Sequence, residues 1–138
     1  MLEFNLFLID YWYFSVPLFF FIFLFAYSEM NKGGKKIEPN ELTRLINKES
    51  AILIDLRKKE DYENGHIMNA LNYPHQEFDN QMHELEKFKD RPIILVCDMG
   101  RNSANIGEKL KKAEFEITFR LNGGMMTWTQ ENLPVVQK

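Results

Sequence analysis

The stretch IILVCDMGRNSANIGEKLKKA, Ile93 to Ala113, decides the fold. Ile93 to Cys97 is a short run that is apolar on both faces, as a strand buried inside a parallel sheet is. Asp98 to Ser103 is polar and contains Gly100, which marks a turn. From about Asn102 to Ala113, the residues Ile106, Leu110 and Ala113 recur at helical spacing, so a helix is expected there with those side chains inward. Asn102 or Ser103 is its candidate N-cap. In open sheets built from such strand–loop–helix units, ligands sit beyond the carboxyl ends of the strands. Cys97 ends the strand and occupies that position.

The same alternation runs on both sides. Upstream, Asn40 is a candidate N-cap with Pro39 just outside, and Leu42, Leu45 and Ile46 follow at helical spacing. AILIDL, Ala51 to Leu56, is an apolar run of strand length. Residues 58–64 are charged and read as a single helical turn, and Asn69 to Pro74 as a short extended piece ended by proline. Phe78, Met82, Leu85 and Phe88 fall on one face of an amphipathic helix, which Arg91-Pro92 ends. Downstream, Phe115 to Leu121 reads as a third strand, Gly123-Gly124 as a turn and Met125 to Glu131 as a last short helix. Strands separated by helices imply an α/β fold with a central parallel sheet and right-handed crossovers.

Composition divides the 138 residues into unlike parts. Residues 1–30 carry 12 of the 19 aromatic residues and no Lys or Arg, whereas all 17 basic residues follow them. Tyr11 to Tyr27 contains no charge, and these seventeen residues would reach about 26 Å as a helix, close to the ~30 Å hydrocarbon core of a bilayer. Tyr11, Trp12, Tyr13 and Tyr27 suit the interfacial aromatic belts. A cleaved signal peptide would carry a positive n-region, but Glu3 and Asp10 stand there. A surface amphipathic helix would show a polar stripe, and this one shows none. The expectation is an N-terminal transmembrane anchor over residues 1–30, spanning about 11–27 and contacting membrane lipid. A flexible basic and glycine-bearing linker is expected over 31–36, and a folded domain over 37–138. Lys32, Lys35 and Lys36 follow the span, so the positive-inside rule puts the C-terminal domain in the cytoplasm.

The net charge of −3 argues against a nucleic-acid binder. One cysteine excludes an intramolecular disulfide, and His75 and His83 have no further ligand at metal spacing, so no metal is expected. No glycine-rich phosphate loop is present, and no cofactor is expected. The chemistry therefore rests on Cys97. A glycine-bearing loop that opens a helix points successive backbone N–H groups at the sulfur, and the helix N-terminus adds partial positive charge; both favour the thiolate. Two readings stand at this point: a nucleophilic thiolate or persulfide, and a buried structural cysteine.

Residues 37–136 resemble a rhodanese homology domain. Asp55-Leu56-Arg57 is similar to the family's D-x-R at the end of the first strand. Tyr62 to Pro74, YENGHIMNALNYP, resembles aromatic-x-x-G-H-I-x-G-A-x-N-x-P, with Asn69 in place of a glycine. Leu121 to Trp128, LNGGMMTW, resembles the C-terminal h-x-G-G-h-x-x-W. Cys97 stands where the family's persulfide-carrying cysteine stands. The resemblance implies a rhodanese-like parallel sheet flanked by helices. With the anchor, the layout resembles bacterial inner-membrane rhodanese-like proteins and implies a single-pass protein of the cytoplasmic membrane.

For activity, the resemblance implies catalysis by Cys97 and substrate binding by Asp98, Met99, Gly100, Arg101, Asn102 and Ser103. Asp55 and Arg57 would be structural residues near the site, and His66 a packed histidine. The implied reaction takes sulfur from a small sulfur donor, holds it as a persulfide and passes it to a thiol acceptor. Family sulfurtransferases carry C-x-x-G-x-R; here Asn102 fills the arginine slot and Arg101 precedes it. Asp98 adds a negative charge that disfavours a thiolate and repels anions. Cysteine phosphatases need C-x5-R, and the residue six after Cys97 is Ser103. The alternative is a catalytically weak rhodanese-fold binding or scaffold module at the inner membrane, with membrane proteins as partners.

Overall fold

The computed structural model describes residues 1–30, 32–115 and 117–137. The linker expected over 31–36 and the strand expected over 115–121 each include one residue, 31 and 116, outside those described. The chain divides into two compact units, residues 1–31 and 32–138.

The first unit is helical. Helix α1 spans Leu2–Asp10, and after Tyr11 helix α2 spans Trp12–Met30. Pro17 lies in the second turn of α2, where its missing N–H leaves one carbonyl without the usual donor. No side chain of either helix is buried. An apolar surface on every face is stable only when something apolar covers it. The 19 residues of α2 rise about 28 Å, so α2 is long and apolar enough to cross a membrane.

In the second unit, five parallel strands among the described residues form one sheet in the order β1-β5-β4-β2-β3. They are β1 (Lys35–Ile37), β2 (Ile52–Asp55), β3 (Leu71–Asn72), β4 (Ile93–Val96) and β5 (Thr118–Leu121). Helices α3 (Pro39–Glu49), α4 (Lys59–Asn64), α5 (Phe78–Gln81), α6 (Arg101–Lys112) and α7 (Gly124–Gln130) connect and follow them. Central strand β4 is buried at every position, which explains its lack of apolar–polar alternation. Ile94 and Val96 pack with Leu42 and Leu45 of α3 and Trp128 of α7 on one face. Ile93, Leu95 and Cys97 pack with Phe78, Leu85, Ile106 and Leu110 on the other.

Four expectations are corrected. Asn40 lies inside α3: Glu38 is the N-cap and Pro39 the first helical residue, where its fixed φ and missing N–H cost nothing. Helix α6 begins at Arg101 after Gly100, and Ser103 Oγ turns back to donate to Gly100 O at 2.9 Å instead of capping. The helix expected over Phe78–Phe88 is split. Gln81 adopts φ −106, ψ −6 and the chain continues as a 3-10 helix over Met82–Phe88, still burying Phe78 and Leu85. Strand β1 begins inside the expected linker, at Lys35, where its two lysines hid it; lysine is common on edge strands, where it blocks further pairing. The chain before β1 is docked as well. Gly33 N–H donates to Glu108 Oε1 at 3.1 Å, and a Cβ on Gly33 would lie 2.2 Å from Ala104 O.

Candidate functional site

The carboxyl ends of β2 and β4 lie side by side, joined by Leu56 N–H donating to Val96 O at 2.7 Å. The segments that leave those ends build the site. Cys97 is 2% exposed. Gly100 takes φ +89, which turns its N–H back onto Cys97 Sγ at 2.9 Å and starts α6 in the same step. Asp98 and Met99 are exposed between them. From the far side, the first turn of α7 holds the loop: Met125 N–H donates to Cys97 O at 2.7 Å and Met126 N–H to Asp98 O at 3.0 Å.

A cavity of about 190 Å³ opens beside the sulfur, lined by Cys97, Asp98 and Asn102 on one side and Leu56, Arg57, Lys58, Asp61 and His75 on the other. The residues expected at the site are thus only partly brought together. Cys97, Asp98, Asn102 and Arg57 share this cavity, whereas Met99, Gly100 and Ser103 line a second cavity behind the loop. Arg101 is exposed and lines neither.

Asp55 is buried and does not reach the cavity. Its carboxylate takes Arg57 through Nε at 3.1 Å and Nη2 at 2.9 Å, and also accepts the Arg57 N–H at 2.9 Å. Arg57 Nη2 goes on to Gly65 O at 2.6 Å, and Asn72 Nδ2 donates to Arg57 O at 2.9 Å. The pair therefore ties the end of β2 to the chain after α4 and to β3. His66 is packed rather than presented: its ring stacks on Tyr62 at 3.8 Å and its Nδ1 lies 2.7 Å from Tyr62 O. Asn69 takes φ +68, a conformation asparagine adopts more readily than most residues, so it can stand where the resemblance implies glycine. Among the described residues no three His, Cys, Asp or Glu side chains converge as metal ligands.

Arg120 escaped the reading of the sequence. It is 5% exposed on β5, faces the same side of the sheet as Leu95 and Cys97, and lies near enough to feel the cysteine's charge. Burial pulls its guanidinium below the ordinary arginine value, and a negative Cys97 opposes that shift. The signal was present as one charge inside the strand TFRL.

Residues 38–131 match the rhodanese-like domain. The chain is 37% identical over 123 residues to the Escherichia coli K12 protein YibN, covering 88% of this chain and 86% of that one. It is 28% identical over 98 residues to the Shewanella oneidensis thiosulfate sulfurtransferase GlpE, covering 71% of this chain and 95% of the relative. Among solved structures, a rhodanese-related protein from Thermoplasma volcanium superposes with a TM-score of 0.67 at 27% identity, over 75% of this chain and 99% of that one. The parallel sheet, the loop after β4 and these similarities together make this chain a member of the rhodanese-like family.

Proposed function

We propose that the chain is a membrane-tethered sulfurtransferase that carries sulfur as a persulfide on Cys97. The observation that carries the reading is the Gly100 N–H aimed at Cys97 Sγ at 2.9 Å beside an open cavity. A donor placed there meets a sulfur already held by a main-chain dipole. The Cys97 thiolate attacks the outer sulfur of thiosulfate, the S–S bond of the donor breaks, and sulfite leaves with the bonding electrons. The new terminal sulfur bears the negative charge, which the amide and the positive end of α6 stabilise without rearrangement. An acceptor thiolate then attacks that terminal sulfur and regenerates the Cys97 thiolate, so no outside oxidant or reductant is needed. The kinship with thiosulfate sulfurtransferases supports the same reaction class.

Helix α2 is the tether in this reading, and the lysines that follow it support a cytoplasmic side for the domain. The test is intact-protein mass spectrometry after exposure to thiosulfate or to a low-molecular-weight persulfide. A gain of one sulfur atom on Cys97, absent in Cys97→Ala and reversed by excess thiol, is the expected result. No gain with either donor overturns the reading.

One observation favours a second reading, a binding or scaffold module at the membrane. Two carboxylates, Asp61 and Asp98, line the cysteine cavity against the single cation Lys58, because the Arg57 guanidinium that also lines it is already committed to Asp55. A cavity of that charge holds anionic donors weakly. Under this reading Cys97→Ala leaves the chain's function in cells unchanged.

A further inference from the structure

The second cavity, behind the cysteine loop, has the opposite character. It measures about 150 Å³, and its lining includes Lys36, Gly100, Ser103 and Arg120 but no carboxylate. Lys36 of β1 stands in register with Arg120 of β5, which is in turn in register with Leu95 of β4. Side chains in register on parallel neighbours share a face, so two cations stand side by side on the face where α6 packs. Like charges in that relation repel.

Arg120 is 5% exposed, and its Nε donates to Gly34 O at 3.1 Å. Among the described residues its terminal nitrogens have no hydrogen-bond partner, and neither Lys36 nor Arg120 forms an ion pair. Glu108, the acid nearby on α6, is engaged by the Gly33 N–H. The N-terminal end of the twelve-residue α6 borders the same cavity through its N-cap Gly100 and through Ser103, and no side chain caps it. A buried cation without an ion pair is costly, and beside Arg120 the charge of Cys97 faces the added field of a second cation and a helix dipole.

We propose that this cavity binds a small free oxoanion of the sulfate, phosphate or sulfite type, held between Lys36 and Arg120 beside the N-terminal end of α6. The cavity is large enough for one such ion. Lys36 is exposed at its rim and admits the ion, and Arg120 forms its floor. Cys97 does not line this cavity, although its charge reaches Arg120.

The experiment titrates the full chain, nitrogen-15 labelled in neutral detergent micelles, with sodium sulfate, phosphate or sulfite against sodium chloride at matched ionic strength. The Arg120 Nε–Hε and Gly100 amide resonances should shift saturably with the oxoanions and not with chloride. Lys36→Met, a change at an exposed side chain, should weaken binding about tenfold, the worth of one charge-assisted hydrogen bond. Arg120→Met should abolish it while Arg120→Lys keeps a weakened response. If Arg120→Met does not fold, the wild-type titration and Lys36→Met decide. A linear, non-saturating response, or unchanged affinity in Lys36→Met, overturns the site. So does a response to phosphatidylglycerol added to the micelles with none to the free ions, which would make the ligand a lipid headgroup.

Discussion

Gly124 approaches the cysteine loop so closely that a side chain has no place there: a Cβ would lie 2.1 Å from the carbonyl oxygen of Cys97. The residue also takes φ +60. With the next two amides bonded to Cys97 O and Asp98 O, the start of α7 is the part that sets where the sulfur sits.

Gly124→Ala should therefore act on both stability and chemistry. The backbone cannot yield without breaking those two bonds, and the left-handed conformation adds strain, so a loss of about 2 kcal/mol or more is expected. Urea denaturation followed by circular dichroism measures it. The folded fraction should accumulate persulfide on Cys97 more slowly than the wild type, because the loop must move outward.

Arg57 and Asp55 form the most buried ion pair among the described residues, with side chains 9% and 1% exposed. Arg57→Met leaves a carboxylate buried without its cation and removes the bond to Gly65 O, at a cost of about 3 kcal/mol. Adding Asp55→Asn should recover part of that loss, since the residual charge is then gone. A double-mutant cycle in chemical denaturation reads the recovery.

Tyr62 gives the domain an alkaline limit. Its hydroxyl donates to Ala70 O at 2.6 Å, and burial, followed by the nearby Asp55 charge, raises its pKa above the ordinary tyrosine value. A pKa raised on folding contributes stability that is whole below the unfolded value of about 10 and is lost as pH rises through the folded one. Stability should fall above that pH in the wild type and fall less steeply in Tyr62→Phe. Urea denaturation at a series of pH values across that range reads the difference.

The sheet and its helices were legible because buried parallel strands are apolar throughout and helices repeat at a different period. AILIDL and IILVC could hardly be read otherwise. Strand β1 was not legible, because an edge strand of two lysines and one isoleucine has the composition of a linker. The break at Gln81 was hidden because Phe78 and Leu85 face inward whether or not the helix is continuous between them. At the site, chain order led to the expectation of successive amides at the sulfur, and among the described residues one, Gly100 N–H, makes the contact. The role of Arg120 was not, because it depends on which strands become neighbours, and β5 and β1 lie far apart in sequence.

Topology is checked by protease access. With an epitope after residue 138, the full chain in intact spheroplasts should keep its tag under external protease and lose it only once the membrane is permeabilised. The proposed orientation rests on the three lysines at 32, 35 and 36, with Glu3 and Asp10 flanking the other end. Replacing those lysines by glutamine should produce a protease-sensitive fraction. A tag removed from intact spheroplasts carrying the unaltered chain would reverse the orientation.

Asn102 and Arg101 test donor recognition directly. Asn102 lines the cysteine cavity, so an arginine there extends a cation toward the space a donor's oxygens would fill. Asn102→Arg should raise the rate of thiocyanate formation from thiosulfate and cyanide roughly tenfold, the worth of about one charge-assisted hydrogen bond. Arg101 is exposed and lines neither cavity, so Arg101→Ala should leave the rate within about twofold, as isolated surface charges do. The combination Asn102→Arg with Asp98→Asn should exceed Asn102→Arg alone, because one of the two carboxylates that oppose an anionic donor is then gone. If Asn102→Arg leaves turnover with thiosulfate unchanged but Cys97 still takes sulfur from a persulfide, the preferred donor carries no oxoanion group, and the cation slot is vacant because nothing has to be held there.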